Sequence, residues 1–257
     1  MIDAIEFSWR DRLRASATHF CISIIIAAVC AVFVFVFWYP DPYREISGGR
    51  ELFLILMTVD VILGPLITLA IFNRAKPWPV LRRDLICVGL FQLVALGYGM
   101  WTAFVARPVH LVFEYDRFRV VHAIEVPVEL LDKAPPALRK LPLFGITVLA
   151  LRPFRDAGEK YNATMAALQG LPLSARPDLW QPYQDARSRA IEAAKPALQL
   201  KKRFPDRAAE IDRAIERTGI KPDALLYLPL VGRKSFWTVL LDSSTAEVLG
   251  FLPLDSF

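Results

Sequence analysis

Asp60 is the residue whose chemistry most needs an explanation, because it stands inside the long apolar run 52–72. A carboxyl group at that depth in lipid costs at least about 2.5–3.5 kcal/mol unless it is protonated, paired or wetted. Two kinds of chemistry suit such a group: recognition of a polar atom on another membrane helix, or movement of a proton. A third reading is structural, a packing hydrogen bond inside this protein's own helices. Counted from the same border, Asp60 lies 12 residues above Phe72 and Tyr98 lies 13 above Leu85. At about 1.5 Å per residue both stand roughly 18–20 Å up, so the Tyr98 hydroxyl is a candidate partner. Gln92 is lower, at about 10 Å. Gly64 and Pro65 follow in the same run, and Pro65 is expected to kink the helix and free backbone carbonyls. Asp60, Gly64, Pro65 and Tyr98 are therefore the candidate partner-binding or intramembrane polar residues.

Other reactive types are sparse. His110 and His122 fall on neighbouring β-like runs, but two histidines without cysteine or a third ligand at metal-site spacing make a weak zinc case. Glu114 and Asp116 have the types of an acid/base pair, yet charges beside a hairpin turn are ordinarily just solvated. The sequence contains no G-x-S-x-G, phosphate loop, H-E-x-x-H or dinucleotide fingerprint. Lys201-Lys202-Arg203 is too short a cluster to anchor on lipid and reads as a solvated helix flank. We expect no catalytic centre, no metal and no cofactor.

The elements that must position Asp60 are membrane helices. The 257 residues are 54% hydrophobic and carry a net charge of +5. Three apolar runs, 20–39, 52–72 and 85–105, are each about long enough to cross 30 Å of hydrocarbon. Trp38, Tyr39 and Trp101 sit near their borders, as interfacial aromatics do. The first run follows Arg10, Arg12 and Arg14 as a signal peptide would, but it ends in Val36-Phe37-Trp38-Tyr39 without small residues for cleavage. It reads as an uncleaved anchor. The three cysteines, Cys21, Cys30 and Cys87, all lie in apolar runs and act as small hydrophobes.

Basic residues give the direction. The N-terminal tail 1–19 and the connection between the second and third runs hold seven arginines and lysines, and the opposite side holds Arg44, Arg50 and Arg107. The excess of positive charge inside predicts a cytoplasmic N-terminus and an exported domain over 106–257, periplasmic in a bacterial inner membrane. From Arg107 onward there are 22 basic and 18 acidic residues, mixed along the chain. No nucleic-acid stripe results.

The exported part is expected to be a small, monomeric α+β domain. Runs 109–115 and 118–123 read as a hairpin around Asp116-Arg117, 145–151 as a third strand, and 225–231, 236–241 and 247–252 as closing strands. Stretches 156–168, 178–194 and 206–217 lean helical. The fold class is thus a membrane protein with three transmembrane helices followed by a small α+β soluble domain.

Several strings resemble the type IV pilin accessory protein family, the TfpX/TfpZ group. They are His19 and Ser23, Trp38-Tyr39-Pro40, Val59-Asp60-Val61-Ile62-Leu63-Gly64-Pro65-Leu66-Ile67-Thr68, Phe72-Asn73 with Lys76, Arg82 to Leu85, Ala106-Arg107-Pro108, and Asp116-Arg117-Phe118 with Val120-Val121. The resemblance covers about half the chain. It implies an inner-membrane accessory protein, chaperone-like, that supports pilin stability and pilus assembly and is not an enzyme. Its implied partners are a major or minor type IV pilin and other pilus-assembly proteins. The alternative carried by the residues is a small proton-coupled transporter built around Asp60. A sensor is disfavoured, since the cytoplasmic pieces are too short for an output domain.

The charge asymmetry makes a direct prediction. A reporter that works only after export should be active when fused after Phe257, and activity of a cytoplasm-only reporter there would reverse the orientation.

Overall fold

A computed structural model describes residues 9–257 as two compact units. The first unit holds three long helices: α1 (Trp9–Phe33), α3 (Gly49–Ile71) and α4 (Trp78–Val105). A π-helical turn, Val34–Trp38, continues α1. With that turn the helices span 30, 23 and 28 residues and are apolar enough to cross a membrane. They begin before the uncharged runs and end within a residue of where those runs end, because charged and polar residues at the leading borders continue the hydrogen-bonded turns into the headgroup layer. Ile25, Val29, Ile55, Phe91 and Val94 are exposed, as lipid-facing side chains should be.

Within this unit α3 packs against both α1 and α4. The last carbonyls of α3, which lack helical partners, are met by cations. Arg12 Nη1 lies 3.2 Å from the Ala70 carbonyl, and Lys76 Nζ donates to the Ile71 carbonyl at 3.1 Å and to Asp84 Oδ2 at 2.7 Å.

The second unit contains residues 106–257 together with 38–48. Its eight-stranded mixed sheet has the order β4-β3-β1-β2-β6-β7-β8, with β5 beside β6. The strands are β1 (Pro108–Glu114), β2 (Arg117–His122), β3 (Thr147–Leu151), β4 (Trp180–Pro182), β5 (Lys195–Pro196), β6 (Leu225–Val231), β7 (Phe236–Asp242) and β8 (Val248–Leu252). The helices are α2 (Tyr43–Ile46), α5 (Ala157–Leu168), α6 (Arg187–Ala193), α7 (Leu198–Arg203) and α8 (Ala208–Thr218). β1 lies centrally, parallel to β3 and antiparallel to β2. Alternation along it sends Leu111 and Phe113 into one apolar cluster and Val112 into another. Ile211 and Ile215, four apart on α8, fill a third. Asp156 caps α5 by accepting from the Glu159 amide at 2.7 Å, and Gly219 ends α8 with φ +69°.

Three sequence expectations change. The hairpin turns at Tyr115-Asp116, with Glu114 opposite Arg117, and Tyr115 takes φ +63°, which a bulky residue rarely adopts. The stretch 178–194 is not one helix: a 3-10 turn at Pro177–Leu179 is followed by Trp180–Pro182, which pairs with β3, and only then by a 3-10 turn at Tyr183–Ala186 that leads into α6. Finally, residues 38–48 lie within the stretch assigned to the three-helix segment but fold with the soluble domain. Ile46 is fully buried beside Phe113, Phe118 and Leu230, and Tyr43 meets Phe251 edge to face at 5.5 Å. The Arg233 amide donates to the Ile46 carbonyl at 3.2 Å. Gly232 permits this approach, since a Cβ there would stand 2.7 Å from Ile46 Cγ2 and 2.9 Å from its carbonyl oxygen.

This docking supports topology independently of charge. The connection after the first long helix and the chain after the third share one core, so both belong on the same side of the membrane. Ile46→Ala should cost about 2–5 kcal/mol, as other large-to-small changes in cores do. Denaturant unfolding of the full-length protein in detergent would measure it, and unchanged stability would remove Ile46 from the core.

Candidate partner-binding site in the membrane helices

The first unit has two different seams along α3. Toward α1 the seam is polar: Ser16 Oγ donates to the Pro65 carbonyl at 2.9 Å, and His19 Nδ1 stands 2.6 Å from Thr68 Oγ1. Ser23 is buried on the same helix. Hydrogen bonds of this kind hold helices together in lipid, where apolar contact supplies no hydrophobic drive between them.

Toward α4 the seam depends on glycine. A Cβ on Gly64 would fall 1.8 Å from Gln92 Nε2, and a Cβ on Gly99 would fall 1.8 Å from Leu56 Cδ1. Each glycine is thus a seat for a side chain of the facing helix. Gln92 uses its seat to donate to the backbone carbonyl of Asp60 at 3.3 Å. Beside these contacts runs an apolar groove of about 210 Å³, lined by Ile55, Val59, Leu63 and Phe91, in which Asp60 and Gln92 are the polar side chains. Asp60 Oδ1 is buried and has no hydrogen-bond partner among the described residues. A polar oxygen left unsatisfied in an apolar groove is able to accept a donor from another chain.

The structure therefore brings Asp60 and Gly64 together with Gln92, and places Pro65 at the α1 seam through its carbonyl. Tyr98 is elsewhere. It is 68% exposed, lies against Trp101 with ring centres 5.9 Å apart, and makes no bond to Asp60. Height along the helix matches, but direction does not. Tyr98 and Gln92 are six residues apart, which at 3.6 per turn separates them by about 120° around the axis. Gln92 and Gly99 are seven apart and share a face, a spacing that would have marked Gln92 as the inward residue. The roles of Ser16, His19 and Thr68 were also missed; polar residues near both helix ends were the available signal.

In the soluble domain the candidate groups do not converge. His110 is buried with ring centroid 4.7 Å from that of Trp180, and neither ring nitrogen has a hydrogen-bond partner among the described residues. Burial pushes its pKa down to about 4, opposed only in part by the Thr147 backbone. His122 Nδ1 stands 3.3 Å from Glu125 Oε2. Glu114 accepts from the Ser174 amide at 3.3 Å, and burial pushes its pKa up. Asp116 is held by Arg117 at 2.7 Å, so its carboxyl is lowered and the two acids have separate environments. Among the described residues no three histidine, cysteine or acidic side chains are placed to hold a metal.

Residues 7–48 match the model of fimbrial assembly protein FimB. Across 246 residues, 95% of each chain, the sequence is 34% identical to the fimbrial assembly protein of serogroup I from Dichelobacter nodosus. The chain belongs to the fimbrial assembly protein family. The serogroup E1 protein of the same organism is 33% identical over the same share of each chain. The protein of serogroups C1 and C2 is 37% identical over 124 residues, which is 48% of this chain and 92% of that one. No solved structure matches. These relatives bear out the resemblance to type IV pilus accessory proteins, and the family model spans α1 and the segment 38–48 that docks into the soluble core.

His110 yields a pH prediction. Its folded-state pKa lies below the ordinary 6.5, so the unfolded chain binds the extra proton first and stability falls as pH drops from about 6.5 to about 4. The loss attributable to this group is about 3 kcal/mol. Glu114, pushed upward, acts in the opposite sense but equally in both proteins when wild type is compared with His110→Phe. Denaturant unfolding across pH 7 to 4 should show a shallower decline for the variant, and identical slopes would exclude His110 as the cause.

Proposed function

We propose that this protein is an inner-membrane accessory factor that holds a type IV pilin before its incorporation into the fibre. The soluble domain is periplasmic in this reading and faces the pilin head, while the groove between α3 and α4 receives the pilin's apolar helix. The observation that carries the reading is the buried Asp60 Oδ1 without a partner in a groove otherwise made of aliphatic and aromatic side chains. Burying it alone is unfavourable, and a donor on an incoming helix would relieve that. Family membership supplies the biological setting, since the relatives are named for fimbrial assembly. The act on pilin is non-covalent: shielding of an apolar helix and placement beside the assembly machinery.

Asp60→Ala tests this reading. Removing an acid from the membrane lowers the cost of insertion, so the variant should remain inserted and abundant. Loss of one intramembrane hydrogen bond should weaken pilin association about three- to tenfold, and the amount of assembled pilus should fall. The measurement is the steady-state level of the variant beside the quantity of surface pili. Normal pili with normal protein would eliminate recognition through Asp60. Disappearance of the variant in step with the pili would make Asp60 a structural residue.

A further inference from the structure

At the end of the first unit where α1 begins and α4 starts lies a second cleft, of about 520 Å³, away from the Asp60 groove. Arg14, Arg74 and Lys76 line it with Asp11, Trp78 and Leu81. We propose that this cleft binds the phosphate of an anionic phospholipid headgroup, such as phosphatidylglycerol, with the acyl chains continuing along the apolar helices.

Depth is the first support. Arg14 lies six residues before Phe20, where the apolar run opens, or about 9 Å outside the hydrocarbon border. That is the headgroup layer. Trp78, 67% exposed, is an interfacial aromatic at the mouth of the cleft.

Charge is the second. Lys76 is already engaged by Asp84 at 2.7 Å and by the Ile71 carbonyl. Arg74 is held only loosely, 3.8 Å from Asp11 with its side chain 78% exposed. Arg14 is exposed, and its guanidinium has no recorded partner among the described residues. Two guanidinium groups thus remain available to one anion, and Asp11 is the acid of the lining, already shared with Arg74. Across this end of the unit Arg10, Arg12, Arg14, Arg74, Lys76, Arg82 and Arg83 face only Asp11 and Asp84 among the described residues. Arginine forks match phosphate oxygens in pairs. A zwitterionic headgroup would bring an ammonium among these arginines, which disfavours it relative to an anionic one.

The mixed lining separates a lipid from a free ion. Leu81 and Trp78 give acyl chains a surface, whereas inorganic phosphate would use only the cations.

Native mass spectrometry of the full-length protein in detergent, titrated with phosphatidylglycerol or phosphatidylcholine, tests the proposal. Phosphatidylglycerol should bind at least tenfold more tightly. Basic residues at an anionic surface each contribute enough that Arg14→Gln with Arg74→Gln should weaken it roughly thirtyfold, and Arg14→Gln alone about fivefold. Arg82→Gln with Arg83→Gln removes the same charge outside the cleft and should change affinity less than twofold. Equal loss in the two double variants would reduce the effect to a diffuse basic surface and overturn the site. Inorganic phosphate at matched ionic strength should compete weakly; full displacement by phosphate without any lipid preference would overturn the lipid source. The single Arg14→Gln variant, which breaks no recorded contact, decides the matter if the double variant fails to fold.

Discussion

The close approach of α3 and α4 at Gly64 and Gly99 is the constraint on which the membrane unit depends. In lipid the side chains of two helices gain nothing by leaving solvent, since hydrocarbon is as apolar as leucine. Association must come from tight contact and from polar groups that have nowhere better to go. Gly64 supplies both, because its missing side chain lets Gln92 reach the Asp60 carbonyl. The α1 seam solves the same problem differently, with Ser16 and His19 bonded to Pro65 and Thr68. α3 is thereby fixed on two sides, and what stays open is the groove holding the Asp60 carboxyl.

The soluble domain depends on another contact made by the membrane half of the chain. Ile46 fills a position in its core, so the sheet is completed by residues that precede most of the membrane helices in sequence. The domain cannot finish folding from 106–257 alone without leaving Phe113, Phe118 and Leu230 short of a neighbour. Contact between elements so far apart in sequence couples folding of the domain to correct insertion of the first helix pair. A factor that assists assembly at a membrane gains from such coupling, because a wrongly inserted copy also fails to complete this domain.

Chemistry is distributed accordingly. His110, His122, Glu114 and Asp116 each occupy separate settings in or beside the sheet, held by a ring, a carboxylate, an amide and a guanidinium respectively. None of these pairs places a nucleophile against a base. In the helices, by contrast, Asp60 Oδ1 lies without a hydrogen-bond partner among the described residues beside an apolar groove.

The sequence alone determined the three spans, the closing strands and the α+β class. Apolar length is read directly by a bilayer, and alternation along a strand is read directly by a sheet. Tertiary structure decided what short or directional signals could not carry. β4 and β5 contain Pro182 and Pro196 and only three and two residues, so only pairing to β3 and β6 makes them strands. Tyr115 adopts a left-handed turn because the hairpin register requires it, against its own preference. Tyr98 had the right height but the wrong azimuth, and the azimuth was fixed by Gly99 seating Leu56. The segment 38–48 looked like a connection between spans because it is short and carries charges. Its place in a core was settled by Gly232, 186 residues after Ile46, whose bare Cα leaves room that no local pattern could announce.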